Sequence, residues 1–241
     1  MTEQNTAPSR PGVSVRSYAT SFGQDEDPIS EGGSWINGRA DGIDWIDVIS
    51  RNGVAFGAVS RMGAAERRGE QGNLDSGADV DAAPEGDYDD PTAVLAGEWG
   101  PDQYARGVVF SQNQTEDYFQ EVELRLRSSI TPHSCTGYEV FWRCLKTENA
   151  YAEIVRWNGK RGDFTSLARA VGPEFGVRDG DVVEASITGT VLRSYINGAL
   201  VLEATDDVFA EGSPGIGFNF GVGDTNVDHG FRQFEVDTRR G

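Results

Sequence analysis

Cysteine and histidine are the scarcest functional residues of this sequence, with two of each: Cys135, Cys144, His133 and His229. So small a supply excludes a disulfide-dense scaffold, a four-cysteine zinc site and a His-rich zinc hydrolase. Cys135 and Cys144 lie in neighbouring strand regions, where a bridge is geometrically open. The alternative is a pair of reduced, partly buried thiols, which suits a chain made without an export signal. Basic residues are also in deficit: 21 Lys and Arg stand against 39 Asp and Glu, a formal charge of −18. This balance excludes nucleic acid and an anionic membrane surface as general partners, because phosphate rewards clustered Lys and Arg. No apolar run approaches the roughly 20 residues of a membrane-spanning helix, so no membrane insertion is expected. The segment from Met1 to Pro8 has neither the basic nor the apolar region of a signal peptide. The mature chain is therefore expected to begin near Met1 and to be made in the cytoplasm. A Gly-x-Ser-x-Gly elbow and a Gly-rich phosphate loop are absent too, which removes a serine hydrolase and a nucleotide-binding loop from consideration.

What is present is ample for one core: 241 residues, 37% of them hydrophobic and 25% charged, a length at which all-β domains are often single units. Residues 1–20 are polar, contain Pro8 and Pro11 and show no period. They read as an arm that contributes nothing to the core, leaving 21–241 as the domain. Phe22 to Gly57 carries Trp35, Trp45 and short apolar runs broken by Gly32-Gly33 and Asn52-Gly53, the pattern of short strands and tight turns. About residues 63–91 the chain is dominated by Gly, Ala and acids, including Asp79, Asp81, Glu85, Asp87, Asp89 and Asp90. This reads as a solvated acidic loop insertion, with a calcium or partner role as the alternative.

Beyond Thr92 the strand signal is continuous. Residues 119–130 alternate strictly, with Val122, Leu124 and Leu126 on one face and Glu121, Glu123, Arg125 and Arg127 on the other, a half-buried strand. In the next segment Tyr138, Val140, Trp142 and Cys144 form the core face, which turns Glu139, Phe141 and Arg143 outward. In the one after, Ala152 and Ile154 point in while Tyr151, Glu153 and Trp157 point out. Val182 to Thr188, Val191 to Ile196 and Leu200 to Ala204 follow, joined by Gly189-Thr190 and Asn197-Gly198, the second being a strong hairpin signal. With Ile216 to Phe220 and Phe231 to Val236 the count reaches about a dozen strands and no long amphipathic helix. The expected class is all-β, two packed antiparallel sheets.

Three runs are specific enough to carry a resemblance: Gly180-Asp181 leading into Val182 to Ile187, Val191 to Asp206 with its Tyr195-x-Asn197-Gly198 hairpin, and Gly212 to Phe218 with Gly215-Ile216-Gly217-Phe218. They resemble the concanavalin A-like lectin and glucanase superfamily, the jelly-roll β-sandwich that includes laminin-G-like domains. Phe22 to Trp35, with its acidic loop and Gly-Gly-Ser-Trp, resembles the first strand of such domains, which the resemblance places near the last one. The likeness spans roughly residues 20–237 and is strongest over 137–220. The superfamily holds lectins, carbohydrate-binding modules, hydrolases, lyases and structural domains, so function has to be argued from a site.

Hydrolases of that superfamily set paired carboxylates on one strand, commonly as Glu-x-Asp-x-Glu or Glu-x-Asp-x-x-Glu; neither pattern occurs here. The nearest is Glu121-Val122-Glu123, two acids on one face about 7 Å apart by the strand rise, and the alternation continues into Arg125 and Arg127. Arginines beside carboxylates hold them charged, which suits a structural ladder better than a proton donor. Lyases of the alginate type use an Arg-x-Glu-x-Arg strand, which Glu123-Leu124-Arg125 partly matches, but their Gln-x-His and Tyr-Phe-Lys patterns are missing. The outward set Glu121, Glu123, Arg125, Arg127, Glu139, Phe141, Arg143, Tyr151, Glu153 and Trp157 would form one polar, aromatic-studded sheet surface if its strands are neighbours. Such a surface suits glycan, with rings stacking on sugar and charged groups taking hydroxyls, and it suits equally a lattice of cross-strand salt bridges. Asp224, Asn226 and Asp228 alternate oxygen ligands before Gly230, so a structural calcium is the one cofactor considered, with Asp25 or Asp27 as a further ligand; a polar turn is the alternative.

The sequence thus points to a non-catalytic lectin-like module that binds glycan or attaches to a larger assembly such as a tailed-phage virion, as a decoration or accessory protein. A polysaccharide-active enzyme using Glu121 or Glu123, with Arg125 or Arg143 holding an acidic sugar, is the alternative, and a ligand-free scaffold or homo-oligomer a third.

Overall fold

The computed structural model describes residues 16–38, 45–58, 90–116, 119–131, 133–160, 162–220 and 226–238. Fifteen strands run through them: β1 (Ser17–Thr20), β2 (Trp35–Asn37), β3 (Val48–Arg51), β4 (Val54–Gly57), β5 (Thr92–Leu95), β6 (Gln103–Ser111), β7 (Gln120–Thr131) and β8 (Ser134–Arg143) come first. They are followed by β9 (Tyr151–Gly159), β10 (Phe164–Val171), β11 (Val182–Thr188), β12 (Val191–Ile196), β13 (Ala199–Thr205), β14 (Ser213–Phe220) and β15 (His229–Thr238). One sheet has the order β13-β12-β11-β6-β15-β4-β3, with β1 also on β15; the other runs β10-β9-β8-β7-β14-β5-β2. Every pairing is antiparallel, and the two sheets pack face to face as a jelly-roll β-sandwich. Among the described residues no helix is long and apolar enough to cross a membrane.

The alternation read from the sequence sets the core. Val122, Leu124 and Leu126, Tyr138, Val140 and Trp142, and Ala152 and Ile154 of three adjacent strands are buried against Ala105, Val109, Val183, Ile187, Leu192, Phe234 and Val236 of the opposite sheet. Two hairpins close as expected. Asn52-Gly53 and Asn197-Gly198 both take positive φ at both central residues, the conformation that matches strand twist and that Asn-Gly supplies with least strain. Phase also decides the cysteines: Cys144 belongs to the core between the sheets and Cys135 to a separate cluster on the outer face, and both are free.

Four expectations change. First, β7 is buried on both faces from Gln120 to Ser128 rather than half-buried, because Trp45, Val155 and Trp157 pack with Cys135, Ile130 and Phe141 as a second apolar cluster over the outer side. Second, Arg127 leaves that face. A bulge between Leu126 and Ser129 places Arg127 at φ 47°, and its guanidinium donates to the carbonyls of Pro101, Phe209 and Gly189 at 2.6, 2.9 and 2.8 Å. An added residue in one strand re-aims the side chain, so Arg127 ties three loops together and is no part of an outer surface. Third, the last residues of the expected arm are β1, which pairs with Phe234 to Asp237 of β15. Tyr18 packs against the core and meets Trp35 edge-on at 5.7 Å, and the Tyr18 and Thr20 hydroxyls both donate to Glu31. Fourth, Asp90, expected within the solvated acidic loop, is 3% exposed; the rest of 63–89 lies outside the described residues.

A chain beginning at Arg16 is expected to melt higher than one beginning at Ser21. Losing β1 removes the partial burial of one large side chain, Tyr18, about 1–2 kcal/mol, or roughly 2 to 8 °C at this size; equal melting temperatures would show that β1 contributes nothing.

Candidate functional site

The pairing of β14, β7, β8, β9 and β10 lines up outward residues in rows. Glu121 lies opposite Arg143, Glu123 opposite Phe141, and Arg125 opposite Glu139. Phe141 then meets Glu153 and Glu139 meets Val155, while Glu153 meets Arg169 and Trp157 meets Phe164. On the other flank of β7, Gly217 lies opposite Glu123. A Cβ there would meet Glu123 Oε2 at 2.2 Å, so this glycine makes room for a carboxyl.

At the floor sits Arg125, fully buried. Its Nη2 is 2.7 Å from Glu139, 3.1 Å from Asp90 and 3.3 Å from Glu123. The rings of Trp45 and Trp157 lie 5.9 and 5.7 Å from its guanidinium carbon, and the Trp157 indole donates to Glu139 at 2.7 Å. Breaking such a buried cluster by removing one partner costs about 3–5 kcal/mol, because the charges left behind stay desolvated.

Three buried acids around one cation leave excess negative charge, and the carboxyls respond by holding protons. Burial pushes Glu139 up to about 7, against the pull of Arg125. Burial also pushes Glu121 up to about 8, opposed by the Tyr151 hydroxyl that donates to it and reinforced by the charge of Glu139. Asp90 and Glu123 are raised for the same first reason, desolvation. For Arg125 burial alone acts downward, but Glu139 and Asp90 outweigh it and hold the guanidinium charged.

Above this floor lies a half-open cavity of about 240 Å³. Its walls include the carboxyls of Asp90, Glu121, Glu123, Glu139 and Glu153, with Phe119, Phe141, Tyr151, Trp157 and Phe164 as the aromatic part and Arg169 at the rim. Arg169 pairs with Glu153 at 3.2 Å and lies 4.4 Å from the Tyr151 ring centre.

Of the residues expected from sequence, Glu121, Glu123, Glu139, Phe141, Tyr151, Glu153 and Trp157 come together in this cavity. Arg125 supports them from beneath, and Arg143 lines an adjoining hollow beside Phe119. Sequence reasoning missed Asp90, Phe119, Phe164, Arg169 and Asn219. Asp90 is hidden in an acidic run, and Phe164 and Arg169 stand on β10, whose mixed pattern of half-buried and exposed residues carries little period.

Only part of the expected calcium set lies among the described side chains. Asp224 lies outside the described residues, Asp228 accepts from the Asn113 side chain, Asp25 accepts from the Asn52 backbone N–H, and Asp27 pairs with Arg51. Among the described residues the acids whose ligand atoms cluster are Asp90, Glu123 and Glu139, and there the Arg125 guanidinium already occupies the place of a cation.

No family model matches the sequence, and no curated protein matches it. Among solved structures the chain is similar to the CBM2 module of an evolved Dit from Lactobacillus casei BL23 phage J-1, at TM-score 0.55 and 11% identity over 95% of this chain and 99% of that one. It is also similar to the carbohydrate-binding module CBM66 of Bacillus subtilis, at TM-score 0.50 and 13% identity over 88% and 96%. A third likeness is to an endo-β-1,3-glucanase of Pyrococcus furiosus, at TM-score 0.50 and 12% identity over 93% and 94%. At these identities the likeness establishes the jelly-roll fold.

Two stability outcomes follow from the buried acids. Glu121 and Glu139, raised from 4.5 to about 8 and about 7, bind protons more tightly folded than unfolded. They therefore add stability at and below pH 4.5 that is lost as pH rises through 7 and 8. Glu121→Gln should flatten that slope in urea denaturation, and an unchanged slope would place the acid in water. Arg125→Met should destabilise by about 3–5 kcal/mol, and more at pH 8 than at pH 5, where protonated carboxyls need no counter-charge; equal loss at both would contradict the cluster.

Proposed function

We propose that this chain is a non-catalytic carbohydrate-binding module that takes one sugar ring in the cavity over β7 to β10. The observation that carries this reading is the cavity itself: ring faces and carboxyls from four neighbouring strands converge on a preformed hollow with room for a single pyranose ring. Aromatic faces suit the apolar side of a sugar, carboxyl oxygens accept its hydroxyl hydrogens, and groups held on a sheet need little ordering when they bind. The presence of carbohydrate-binding modules among the similar structures supports the reading.

One observation favours hydrolysis instead. Glu121 lines the cavity and is protonated near neutrality, as an acid donating to a glycosidic oxygen must be. A free second carboxylate is what the site lacks: Glu123 is raised as well, Asp90 and Glu139 are engaged by Arg125, and Glu153 is paired with Arg169. The setting we propose is a virion, with the likeness to the phage Dit module as its support; absence of the chain from purified particles would remove that setting.

A broad glycan array, with and without calcium, followed by reducing-end and unsaturated-product assays on each hit, tests the function. Saturable binding without product is expected. Phe164, 46% exposed at the cavity wall and 5.3 Å from the Trp157 ring, is expected to matter: Phe164→Ala should weaken a hit about five- to tenfold with an unchanged melt. Turnover that Glu121→Gln abolishes would replace the binding reading by hydrolysis, and no hit at all would leave a scaffold.

A further inference from the structure

We propose that the sugar this cavity takes carries a free ammonium group, so that the ligand class is an unacetylated amino sugar; the inference rests on the carbohydrate-binding reading above. The cavity presents five carboxyl groups, and its Tyr151, Trp157 and Arg169 donors are spent on Glu121, Glu139 and Glu153. Of the three nearby cations, Arg125 is spent on Asp90, Glu123 and Glu139 and Arg169 on Glu153, while Arg143 stands in the adjoining hollow against the Phe119 ring. The Glu121 side chain is 4% exposed and takes one hydrogen bond among the described residues, from the Tyr151 hydroxyl to Oε1. Its second oxygen, in a group that lines the cavity, has no partner among them. An ammonium supplies three N–H donors to such an acceptor-rich site, and Glu121 can give up its proton to receive it.

The aromatic lining points the same way. Ring faces attract cations, most strongly when water is excluded, and Phe119, Phe141, Tyr151 and Trp157 line the same hollow as the acids. The protein already uses this combination twice on its own side chains: Arg125 lies beside the Trp45 and Trp157 rings with three carboxyl groups on it, and Arg169 lies over Tyr151 with Glu153. An acidic sugar held by Arg125 or Arg143, the ligand of the alternative enzyme reading, is disfavoured in this cavity, because Arg125 is buried beneath the carboxyls that a ligand carboxylate would face and Arg143 lines the adjoining hollow. An inorganic divalent cation fits poorly, since the Arg125 nitrogen sits 2.7 to 3.3 Å from the acids that would ligate it.

The test is calorimetric titration of the full chain at pH 6.5 with methyl β-D-glucosaminide, its N-acetyl derivative, methyl β-D-glucoside and methyl β-D-glucuronide, each in two buffers of different ionisation enthalpy. The glucosaminide should bind about tenfold more tightly than the N-acetyl derivative and the glucoside, and the glucuronide should not bind. Because the ammonium favours the ionised carboxyl, glucosaminide binding should release on the order of one proton, and binding of the glucoside none. Glu121→Gln should abolish both the preference and the proton release; Glu153→Gln, on the same wall, gives an independent variant that should narrow the preference. Glucoside and glucosaminide binding equally would overturn the ammonium inference and leave the carbohydrate reading standing. No binding by any of the four overturns both. Calcium competing with the glucosaminide at comparable affinity would assign the acids to an inorganic cation and overturn the inference as well.

Discussion

Arg125 and the three carboxyls gathered on it are the interaction on which the outer half of this molecule depends. A guanidinium with no exposed surface must be compensated where it stands, and Asp90, Glu123 and Glu139 supply that compensation from three separate segments of the chain. The cluster therefore links β7 to β8 and to the residue that leads into β5. It also fixes the ground beneath the cavity, because Trp157 is held to Glu139 by its indole N–H and to Trp45 by an edge-on contact at 4.9 Å. Three acids exceed one arginine, and this imbalance gives the site its chemical character. The surplus negative charge appears as carboxyls that keep their protons near neutrality, and as a hollow rich in acceptors.

The two faces of β7 show how one strand serves two purposes. Val122, Leu124 and Leu126 anchor the sandwich core, while Glu121, Glu123 and Arg125 build the site on the other side. The side-chain period of two keeps these sets apart only while register holds. The bulge at Arg127 ends that regime: beyond it the side chain turns to three loop carbonyls and the outer surface stops. The wall of the cavity is consequently set by sheet pairing.

Much of the fold was legible in the sequence because antiparallel strands write their burial in alternation. The outward set on β7, β8 and β9 came out in the right phase, and β11 and β12 match their expected ranges, each bounded by a clear turn signal. What stayed hidden had physical causes. Alternation says which side a residue faces and nothing about what covers that side, so β7 read as half-buried although Trp45 and Trp157 roof it. A bulge adds a residue without a sequence mark, which is why Arg127 was grouped with Arg125. Asp90 differs from its acidic neighbours only in meeting Arg125 across 35 positions of chain. β10 stayed hidden because an irregularity between Ser166 and Ala168 breaks the alternation just where Leu167 and Ala168 meet the core, and Phe164 and Arg169 are exposed.

The most direct measurement is a crystal structure of the protein soaked with the tightest glycan from the array. If the cavity over β7 to β10 is the binding site, density for one sugar ring lies between Glu121, Phe141, Tyr151 and Trp157, with the Arg125 cluster unchanged beneath it. Density elsewhere, as on the opposite sheet in the hollow lined by Tyr104, Glu184, Arg193 and Tyr195, would contradict that assignment and make the buried acids purely structural.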